Sequence, residues 1–386
     1  MKKQKILYIA NGNSIHDIKW ISYFSKQPEK YSCYLLCETL CELSEQTKIT
    51  LEKSSIKLVP QISPISITSP IETWKAIRQF KKLVKDLQPD LIHVLFAAPH
   101  ALWLNFLRTP SIITTRGSDV LIVIPNLLSS TGFKKIYFNW LFNQFKKAFK
   151  RCNYVTSTSS GQIKKIEELF HSKNIALIRT GIDVESIISS TDKSQLPPIL
   201  ANNKFIFSPR FFTPIYNIDI QVEAISKLPR NIIEKYIFVF VRGNNCDSSY
   251  SVKIENKLKA LANSINLKYK IEDYLDQKTL WTYYNFTSLT IMTPTSDGTP
   301  NSALEAMAAK CPLIMPDLNY DKDLFENTCL ILKGNNATSL SDLIVKSIDD
   351  YPKCLINKAF SAVNKFGNRT TEMNKLNDIY VKILTP

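Results

Sequence analysis

Residues 288–315 read SLTIMTPTSDGTPNSALEAMAAKCPLIM. An apolar run at 288–292 leads into a polar loop, a helix-forming stretch at 300–309 and a second apolar run at 312–315. This order predicts a parallel strand–helix–strand unit, because each apolar run has the length of a buried strand. Ligands of parallel sheets bind at the carboxyl ends of the strands, so the loop at 293–299 is the first candidate site.

The same alternation of apolar runs and helical segments recurs on both sides of this unit. Strands are predicted at 5–10, 31–37, 91–96, 111–115, 154–157, 175–178, 204–208, 236–241, 288–292, 312–315 and 329–332. A polar stretch that ends in two prolines, 189–198, divides the alternation and predicts a linker. We therefore expect an α/β protein with two Rossmann-like parallel-sheet domains, 1–190 and 200–369, that face each other across a ligand-binding cleft. A C-terminal helix at about 370–386 is a candidate to pack back on the first domain.

Composition excludes two common phosphate-binding motifs. The chain has only nine glycines in 386 residues, and neither G-x-G-x-x-G nor G-x-x-x-x-G-K-[ST] occurs. The net charge is +15, and residues 1–190 carry 26 basic and 14 acidic side chains. This excess suits an anionic partner, such as nucleic acid, a phosphorylated substrate or a membrane, while simple solubility is the alternative.

The eight cysteines contain no C-x-x-C pair, so a disulfide scaffold or zinc ribbon is disfavoured and reduced cytoplasmic thiols are expected. Cys33, Cys37 and Cys41 recur at every fourth residue, but YSCYLLC is a strand pattern, which argues against a metal site on one helix face. No apolar run reaches 18 residues, so any membrane association would be peripheral.

Two segments of the first half leave a membrane role open. Residues 134–151, KKIYFNWLFNQFKKAFKR, fit either a helix that packs on the first sheet or one that lies in a membrane interface. Residues 119–128, DVLIVIPNLL, fit a loop that contacts lipid. With the excess positive charge, these segments predict docking on an anionic membrane surface.

The loop and helix at 293–309 have the chemistry of an anion site. Thr299 is predicted as the N-cap and Pro300 as a first-turn residue, which leaves backbone N–H groups at 301–304 for a phosphate. Asp297 and Glu305 flank this helix start and suit the hydroxyls of a sugar nucleotide. A capped surface helix with an ordinary glutamate is the alternative. The predicted donor-binding residues of this segment are Gly298, Thr299, Pro300, Asn301, Ser302, Ala303 and Leu304.

Residues 296–317, SDGTPNSALEAMAAKCPLIMPD, resemble the signature of family 4 retaining glycosyltransferases (glycosyl transferases group 1), which have the GT-B fold. That signature has an acidic residue, seven others and a glutamate, within E-G-x-P-x-x-x-L-E-A-M-A-x-G-x-P. Asp297 stands where the first acid is usually glutamate, and Lys310 stands where glycine is usual. The resemblance implies a GT-B protein in which Asp297 and Glu305 position a sugar donor.

Further donor-side residues are implied by weaker matches. Residues 208–219, SPRFFTPIYNID, resemble the G-R-L-x-x-x-K-G segment, so Arg210 would bind the donor diphosphate. The lysine of that segment is missing, and Tyr216 or Asn217 stands near its place. Gly243 resembles the next nucleotide-side loop, and Tyr274-Leu275 resembles the turn that contacts the base.

Matches in the first half imply an acceptor side. The stretch NGNSIH at 11–16 resembles the family's acceptor-side loop, and RGSD at 116–119 resembles its H-G-x-D turn, with arginine in place of histidine. The implied acceptor-binding residues are Gly12, Asn13, His16, Arg116 and Asp119. His100 lies just past a strand end and joins Asp297 and Glu305 as a catalytic candidate. His93 is predicted to be interior and His171 to lie on the surface.

The resulting hypothesis is a retaining glycosyltransferase that moves a sugar from a nucleotide-diphosphate sugar to a lipid-linked saccharide acceptor. The expected setting is cell-surface polysaccharide or glycolipid biosynthesis, such as lipopolysaccharide or capsule, at the inner face of the cytoplasmic membrane. No metal or other cofactor is expected, because charge on the leaving diphosphate can be met by Arg210 and the helix start. The alternatives are a same-fold nucleotide-sugar epimerase, a non-catalytic family member and a basic nucleic-acid-binding protein.

Overall fold

The computed structural model describes residues 3–37, 43, 45–65, 70–129, 131–244 and 246–385. These residues form two compact units. The first unit holds the chain up to Thr180 and from Glu372 on, and the second holds Gly181–Thr371. The stretch 189–198, predicted as a linker, lies within the second unit, because Leu196 and Leu200 are buried in its core.

The first unit is built on a parallel sheet. Its described strands are β1 Gln4–Ala10, β2 Tyr31–Cys37, β3 Lys57–Leu58, β4 Leu91–Val94, β5 Ser111–Thr115, β6 Tyr154–Ser157 and β7 Ile175–Leu177. They pair in the order β3-β2-β1-β4-β5-β6-β7. The order reverses direction between β1 and β4, which is where ligands of such sheets bind.

The second unit repeats this architecture with its own parallel sheet. Its described strands are β8 Lys204–Ser208, β9 Tyr236–Val241, β10 Tyr269–Glu272, β11 Leu289–Ile291, β12 Leu313–Pro316 and β13 Leu330–Leu332. They pair in the order β10-β9-β8-β11-β12-β13, with the reversal between β8 and β11. Two parallel α/β sheets confirm the predicted fold class.

Helices connect the strands in both units. They are α1 Ile15–Ser25, α2 Glu45–Glu52, α3 Pro70–Leu87, α4 Ile124–Asn126, α5 Phe133–Arg151, α6 Ser160–Phe170, α7 Val184–Ser189, α8 Pro198–Ala201, α9 Ile218–Ile225, α10 Arg230–Lys235, α11 Ser248–Ile265, α12 Gln277–Phe286, α13 Asn301–Ala308, α14 Lys322–Phe325, α15 Ala337–Asp349, α16 Lys353–Phe366 and α17 Arg369–Leu384. A 3₁₀ turn at His100–Phe106 and a π-helical turn at Asp119–Val123 follow strand ends in the first unit.

The end of the chain completes the core of the first unit. Met373, Leu376 and Tyr380 of α17 are fully buried in the apolar cluster that β1 and β2 also line. The Tyr380 hydroxyl lies 2.6 Å from Nδ1 of His93, whose Nε2 lies 2.6 Å from the Thr114 hydroxyl. His93 is therefore a satisfied interior residue, as predicted, and burial lowers its pKa to about 3.

The cysteines of β2 behave as core residues. Cys33 and Cys37 are buried on the strand, while Cys41 lies outside the described residues. Burial raises the pKa of the Cys33 thiol to about 12, so it remains protonated at neutral pH. In the described ranges, no three His, Cys, Asp or Glu side chains are grouped as a metal would require. None of the described helices is both long and apolar enough to cross a membrane.

Candidate active site

Arg210 is the charged centre of the site in the second unit. It lies two residues after the end of β8, at the carboxyl edge of the sheet. Its Nη1 donates to the Ser302 hydroxyl at 2.8 Å, and its Nη2 lies 2.9 Å from Oδ2 of Asp297. Its guanidinium carbon also lies 3.9 Å from the ring centroid of Tyr216. One side chain thus joins the loop before α13, the start of α13 and the turn before α9.

The turn before α9 is held in place by β11. The hydroxyl of Thr293, just after that strand, lies 3.2 and 3.1 Å from the carbonyl oxygens of Tyr216 and Asn217. Asn217 has a left-handed backbone, with φ of 51°, and forms the N-cap of α9. The position where the family supplies lysine is therefore taken by Tyr216, whose aromatic ring faces Arg210.

The start of α13 differs from the prediction in two respects. Pro300, not Thr299, is the N-cap, and the Thr299 hydroxyl donates to Oδ2 of Asp321 at 3.1 Å instead. The backbone N–H groups of Ala303 and Leu304 both donate to the Pro300 carbonyl, so they are not available to a ligand. The candidate anion site at the helix start is therefore narrower than predicted and falls at residues 301–302.

The loop before α13 holds Asp297 by a local contact. The N–H of Gly298 donates to Oδ1 of Asp297 at 2.9 Å. A Cβ at Gly298 would meet no atom of the described residues within 4 Å, and its φ lies outside the left-handed region. The backbone turn at this position therefore does not require glycine.

Glu305 lies inside α13 and is held by α12. Its side chain is buried, and Oε1 accepts from Nε1 of Trp281 at 3.2 Å and from Nε2 of Gln277 at 3.4 Å. Sequence reasoning missed both donors. Asp276 caps the start of α12, which places Gln277 and Trp281 one turn apart on one helix face, and this spacing was the available signal.

Two tyrosine hydroxyls are buried beside these carboxylates without a hydrogen-bond partner among the described residues, those of Tyr284 and Tyr320. Burial, reinforced by the negative charge of Glu305, raises the pKa of Tyr284 well above its usual value. Burial and the charge of Asp297 raise the pKa of Tyr320 in the same way. Both phenols are therefore protonated at neutral pH and can donate a hydrogen bond to an anionic or hydroxyl-bearing ligand.

The other predicted donor-side positions lie at the ends of β9 and β10. Gly243 has φ of 79° and lies on the ring of Phe211, where a Cβ would come within 2.3 Å of the ring. Its N–H donates to the Asp273 carbonyl at 3.0 Å, which places it next to Tyr274. The Tyr274 side chain is exposed, whereas Leu275 packs against the core of the second unit. Glycine is required at 243 because any side chain would displace Phe211.

In the first unit, Arg116 is bound on every side. Its Nη2 lies 2.8 Å from Oδ1 of the buried Asp17, and its guanidinium carbon lies 4.3 Å from the ring centroid of Trp20. Its Nε donates to the Leu95 carbonyl and its Nη1 to the Thr180 hydroxyl, each at 3.3 Å. The predicted acceptor-binding arginine is therefore committed to contacts within its own unit.

Asp119 is likewise bound to groups of its own unit. Its side chain is fully buried. Its carboxylate accepts backbone N–H groups from Ala97 at 2.9 Å, Gly117 at 2.9 Å, Val120 at 3.0 Å and Arg116 at 3.1 Å. The prediction that Asp119 touches the acceptor needs correction, because this carboxylate ties the loop after β4 to the loop after β5.

The remaining predicted residues lie near the carboxyl ends of β1 and β4. Gly12 packs against Cys37, and Asn13 and His16 are exposed. His100 is buried, and its ring meets the ring of Phe96 edge-on at 6.4 Å. Burial lowers the pKa of His100 to about 4, so the imidazole is neutral at physiological pH.

Comparison with known families agrees with this geometry. Residues 5–159 match the family model described as Glycosyl transferase 4-like, and residues 190–360 match the model described as Glycosyl transferases group 1. The protein is a glycosyltransferase of the GT-B type. The second match contains Arg210, Asp297 and Glu305 of this glycosyltransferase.

Solved structures resemble the glycosyltransferase over its whole length. A glycosyltransferase from Rickettsia africae ESF-5 has a TM-score of 0.75 at 16% identity, with 100% of both chains covered. HepE from Anabaena in complex with UDP has a TM-score of 0.75 at 14% identity, covering 98% of this chain and 100% of that one. Sucrose-phosphate synthase from Thermosynechococcus elongatus has a TM-score of 0.69 at 14% identity, with 99% of each chain covered. These likenesses show the fold, and comparison with curated proteins gives no significant match.

Proposed function

We propose that the protein is a retaining transferase of family 4 that moves a sugar from a nucleoside-diphosphate sugar to a saccharide acceptor. The observation that carries the proposal is the Arg210 guanidinium, which joins Asp297 to Ser302 at the start of the helix that also holds Glu305. The crystal structures of HepE with UDP and with UDP-glucose support a nucleotide-sugar donor for this fold. A uridine nucleotide is therefore the first donor to test.

In this mechanism the protein stabilises the charge that develops on the leaving diphosphate. Arg210 supplies a fixed cation, and the start of α13 supplies a positive dipole end and backbone N–H groups. Nε of Arg210 has no hydrogen-bond partner among the described residues. It can therefore donate to a phosphate oxygen while Nη2 keeps its contact with Asp297. The mechanism needs no metal ion.

The two carboxylates position the donor in this proposal. Glu305 is oriented by Trp281 and Gln277, and its carboxylate would accept hydrogen bonds from the ribose hydroxyls. Asp297, at the mouth of the helix, would accept from hydroxyls of the transferred sugar. The sugar would be attacked on the face that the diphosphate leaves, with the leaving phosphate taking the acceptor's proton, which retains the anomeric configuration.

The acceptor side of the proposal rests on the first unit. The exposed side chains of Asn13 and His16 are the proposed acceptor contacts there. Arg116 and Asp119 act as positioning residues, because their polar atoms already bind the protein. The neutral imidazole of His100 would serve as a hydrogen-bond partner of the acceptor, since a pKa of about 4 makes it a weak base at neutral pH.

A lipid-linked acceptor is supported by an apolar surface on the first unit. Leu121, Ile122 and Val123 are 46%, 55% and 45% exposed on the π-helical turn. Ile136 and Trp140, on α5, are 74% and 54% exposed. Exposed apolar side chains that lie next to one another in the chain, on a basic unit, fit peripheral docking on an anionic bilayer. The proposed setting is cell-surface polysaccharide or glycolipid assembly.

Sedimentation with vesicles tests the membrane part of this proposal. Wild-type protein should pellet with vesicles of phosphatidylcholine and phosphatidylglycerol at moderate salt. A variant with Ile122→Ser and Trp140→Ser should pellet less. A matched variant with Ile71→Ser and Trp74→Ser on α3, whose side chains are more exposed than those of Ile122 and Trp140, should pellet like the wild type. Equal loss in both variants, or no binding by the wild type, contradicts this part.

The donor is tested by thermal unfolding with a panel of nucleotide sugars. A true donor should raise the melting temperature of the wild type, because a ligand that binds only the folded state stabilises it. Glu305→Ala should abolish this shift. Release of free nucleoside diphosphate only when a saccharide acceptor is added supports transfer. Conversion of the donor sugar without an acceptor would instead identify an epimerase.

A further inference from the structure

A basic groove lies at the far end of α5 from the predicted catalytic loops of the first unit. In a parallel α/β sheet, a helix runs back from the carboxyl edge to the amino edge, so Lys150 and Arg151 lie by the amino ends of the strands. The groove has a volume of about 580 Å³. Its lining residues come from α5 and the end of α6 and are Asn143, Lys146, Lys147, Lys150, Arg151, Phe170 and His171.

The lining combines a fixed part and a movable part. Arg151 is fixed, because its two terminal nitrogens donate to the carbonyl oxygens of Asn105 at 3.4 Å and Leu107 at 2.6 Å. Phe170 is buried and stacks on Phe149 with 3.9 Å between the ring centroids. Lys147 and Lys150 are exposed on the solvent side of α5. The groove therefore has a rigid floor and two cationic side chains that can move to a ligand.

The charge of the groove is not neutralised within the described part of the chain. Lys146, Lys147, Lys150 and Arg151 form no ion pair there, and no carboxylate lines the groove. The Glu168 carboxylate of α6 is bound to Lys165 at 2.9 Å instead.

The spacing of these cations makes the groove unfavourable when it is empty. Lys146 and Lys150 are four residues apart, as are Lys147 and Arg151, and like charges at that spacing destabilise a helix. The helix dipole explains basic residues in the last turn, at 150 and 151. It does not explain the two lysines one turn earlier. A bound anion would remove the repulsion in both pairs.

We propose that this groove binds a phosphate-bearing ligand with at least two negative charges. Its volume is within the range of small-molecule sites, and lysine and arginine together are the usual cations of phosphate recognition. The ligand is either a free phosphorylated molecule or the headgroup phosphates of two neighbouring anionic lipids, which share this chemistry. The inference does not depend on the proposed transfer reaction, because none of these residues belongs to the donor site.

Site-resolved lysine labelling tests the groove in the full-length protein. Acetylation rates of individual lysines are measured by mass spectrometry with sodium pyrophosphate, with phosphatidylcholine vesicles that contain phosphatidylglycerol, and with neither. Lys147 and Lys150 should be labelled several-fold more slowly in at least one of the two arms. Lys82 and Lys85, exposed on α3 at the same spacing, should be labelled at an unchanged rate.

The two arms identify the source of the phosphate. Protection by pyrophosphate assigns a free phosphorylated ligand, and protection by vesicles alone assigns a lipid headgroup. Protection by neither arm, or equal protection of Lys82 and Lys85, overturns the proposal.

A charge-reversal pair supplies the second measurement. A variant with Lys147→Glu and Lys150→Glu should bind the protecting anion roughly tenfold more weakly or worse, since two charged contacts are lost. A variant with Lys82→Glu and Lys85→Glu has the same net charge and should bind it like the wild type. The protection of Lys147 and Lys150 should persist in Arg210→Ala, so a failure of the donor proposal leaves this result unchanged. Equal affinity in the two charge-reversal variants overturns the proposal.

Discussion

Arg116 in the first unit and Arg210 in the second unit have the same kind of surroundings. Each follows the carboxyl end of a strand, faces an aromatic ring and pairs with an aspartate, at 2.8 Å to Asp17 and 2.9 Å to Asp297. Each arginine side chain is 13% exposed. Exposure therefore does not distinguish them.

Their partners distinguish them. All three guanidinium nitrogens of Arg116 donate to groups of its own unit, and its partner Asp17 is buried. Nε of Arg210 has no hydrogen-bond partner in the described ranges, its Nη1 contacts a hydroxyl at a helix start, and Asp297 is 17% exposed. The comparison teaches that a mostly buried arginine can bind a ligand only if one of its N–H donors is still unused and its counter-ion can also bind a new partner.

The largest effect is expected from breaking the pair in the first unit. Arg116→Ala should lower the free energy of unfolding of that unit by about 3–5 kcal/mol, because it leaves the charge of Asp17 buried without its partner. Calorimetry that resolves the transitions of the two units measures this. Adding Asp17→Asn should recover part of the loss. An Arg116→Ala protein no less stable than one with Arg108→Ala, at an exposed arginine, would contradict the assignment.

The corresponding change in the second unit should cost activity and leave stability nearly intact. Arg210→Ala should lower kcat/KM for diphosphate release by about 10²–10³-fold, the usual effect of removing one donor to a developing anion. Its free energy of unfolding should fall by only about 1 kcal/mol, because Asp297 can be hydrated. Arg230→Ala, at an exposed arginine of the same unit, is the matched control. A stability loss as large as that of Arg116→Ala would contradict the assignment of Arg210 to ligand binding and Arg116 to the fold.

Acid should affect the first unit through His100. The pKa of its imidazole is lowered to about 4 by burial, so the unfolded chain binds the proton first as the pH falls below 6.5. Its contribution to stability is full above that value, and about 2 kcal/mol of it is lost between pH 7 and pH 5. Burial raises the pKa values of Asp17 and Asp119. Protonation of these two carboxyls therefore increases the stability of the unit at lower pH, opposite to the effect of His100. Comparing wild type with His100→Asn therefore isolates the effect, and the variant should lose less stability over this range. If the free energies of unfolding of the two proteins change equally with pH, the role of His100 is refuted.

The smallest expected effect is a gain in the second unit. Lys310 follows the end of α13 and has φ of 54°. The N–H of Lys310 donates to the Met307 carbonyl, and the N–H of Cys311 donates to the Ala306 carbonyl. Glycine adopts this left-handed conformation without the penalty of a side chain, so Lys310→Gly should stabilise the unit by about 0.5 kcal/mol. The gain is small because the substitution also removes the cation–π contact of the Lys310 ammonium, which lies 4.5 Å from the Phe360 ring centroid. Ala309→Gly, one residue earlier in right-handed geometry, should instead destabilise it.

The fold was predictable because it is set by local patterns. Apolar runs at 5–10, 204–208 and 236–241 coincide with strands, since buried parallel strands need continuous apolar sequence. The edge strands at 57–58 and 269–272 were missed because the first is exposed, the second is only partly buried, and both carry mixed sequence. The second parallel sheet, with its own reversal point, followed from the same patterns.

The geometry of the candidate site was predictable only where its residues lie within one segment. Asp297 and Glu305 were identified together because they share a loop and helix. The ion pair of Arg210 with Asp297, the indole of Trp281 on Glu305 and the aromatic face of Tyr216 join separate segments, and no local pattern encodes such contacts. Asp119 was misassigned because a carboxylate at a strand end can collect backbone N–H groups or face a ligand, and both occur in similar sequence.

The place of α17 in the first core has a consequence for the order in which the protein is made. Met373, Leu376 and Tyr380 leave the ribosome after the whole of the second unit, which separates them from β7. At the usual ~5–20 residues per second, synthesis of that unit takes roughly ten to forty seconds. During this delay the second unit can fold to completion while the first still exposes the face of β1 and β2 that α17 will cover. The first unit is thus the first to be synthesised and the last to complete its fold. The nascent chain depends on α17 to cover the part of the core that was synthesised first.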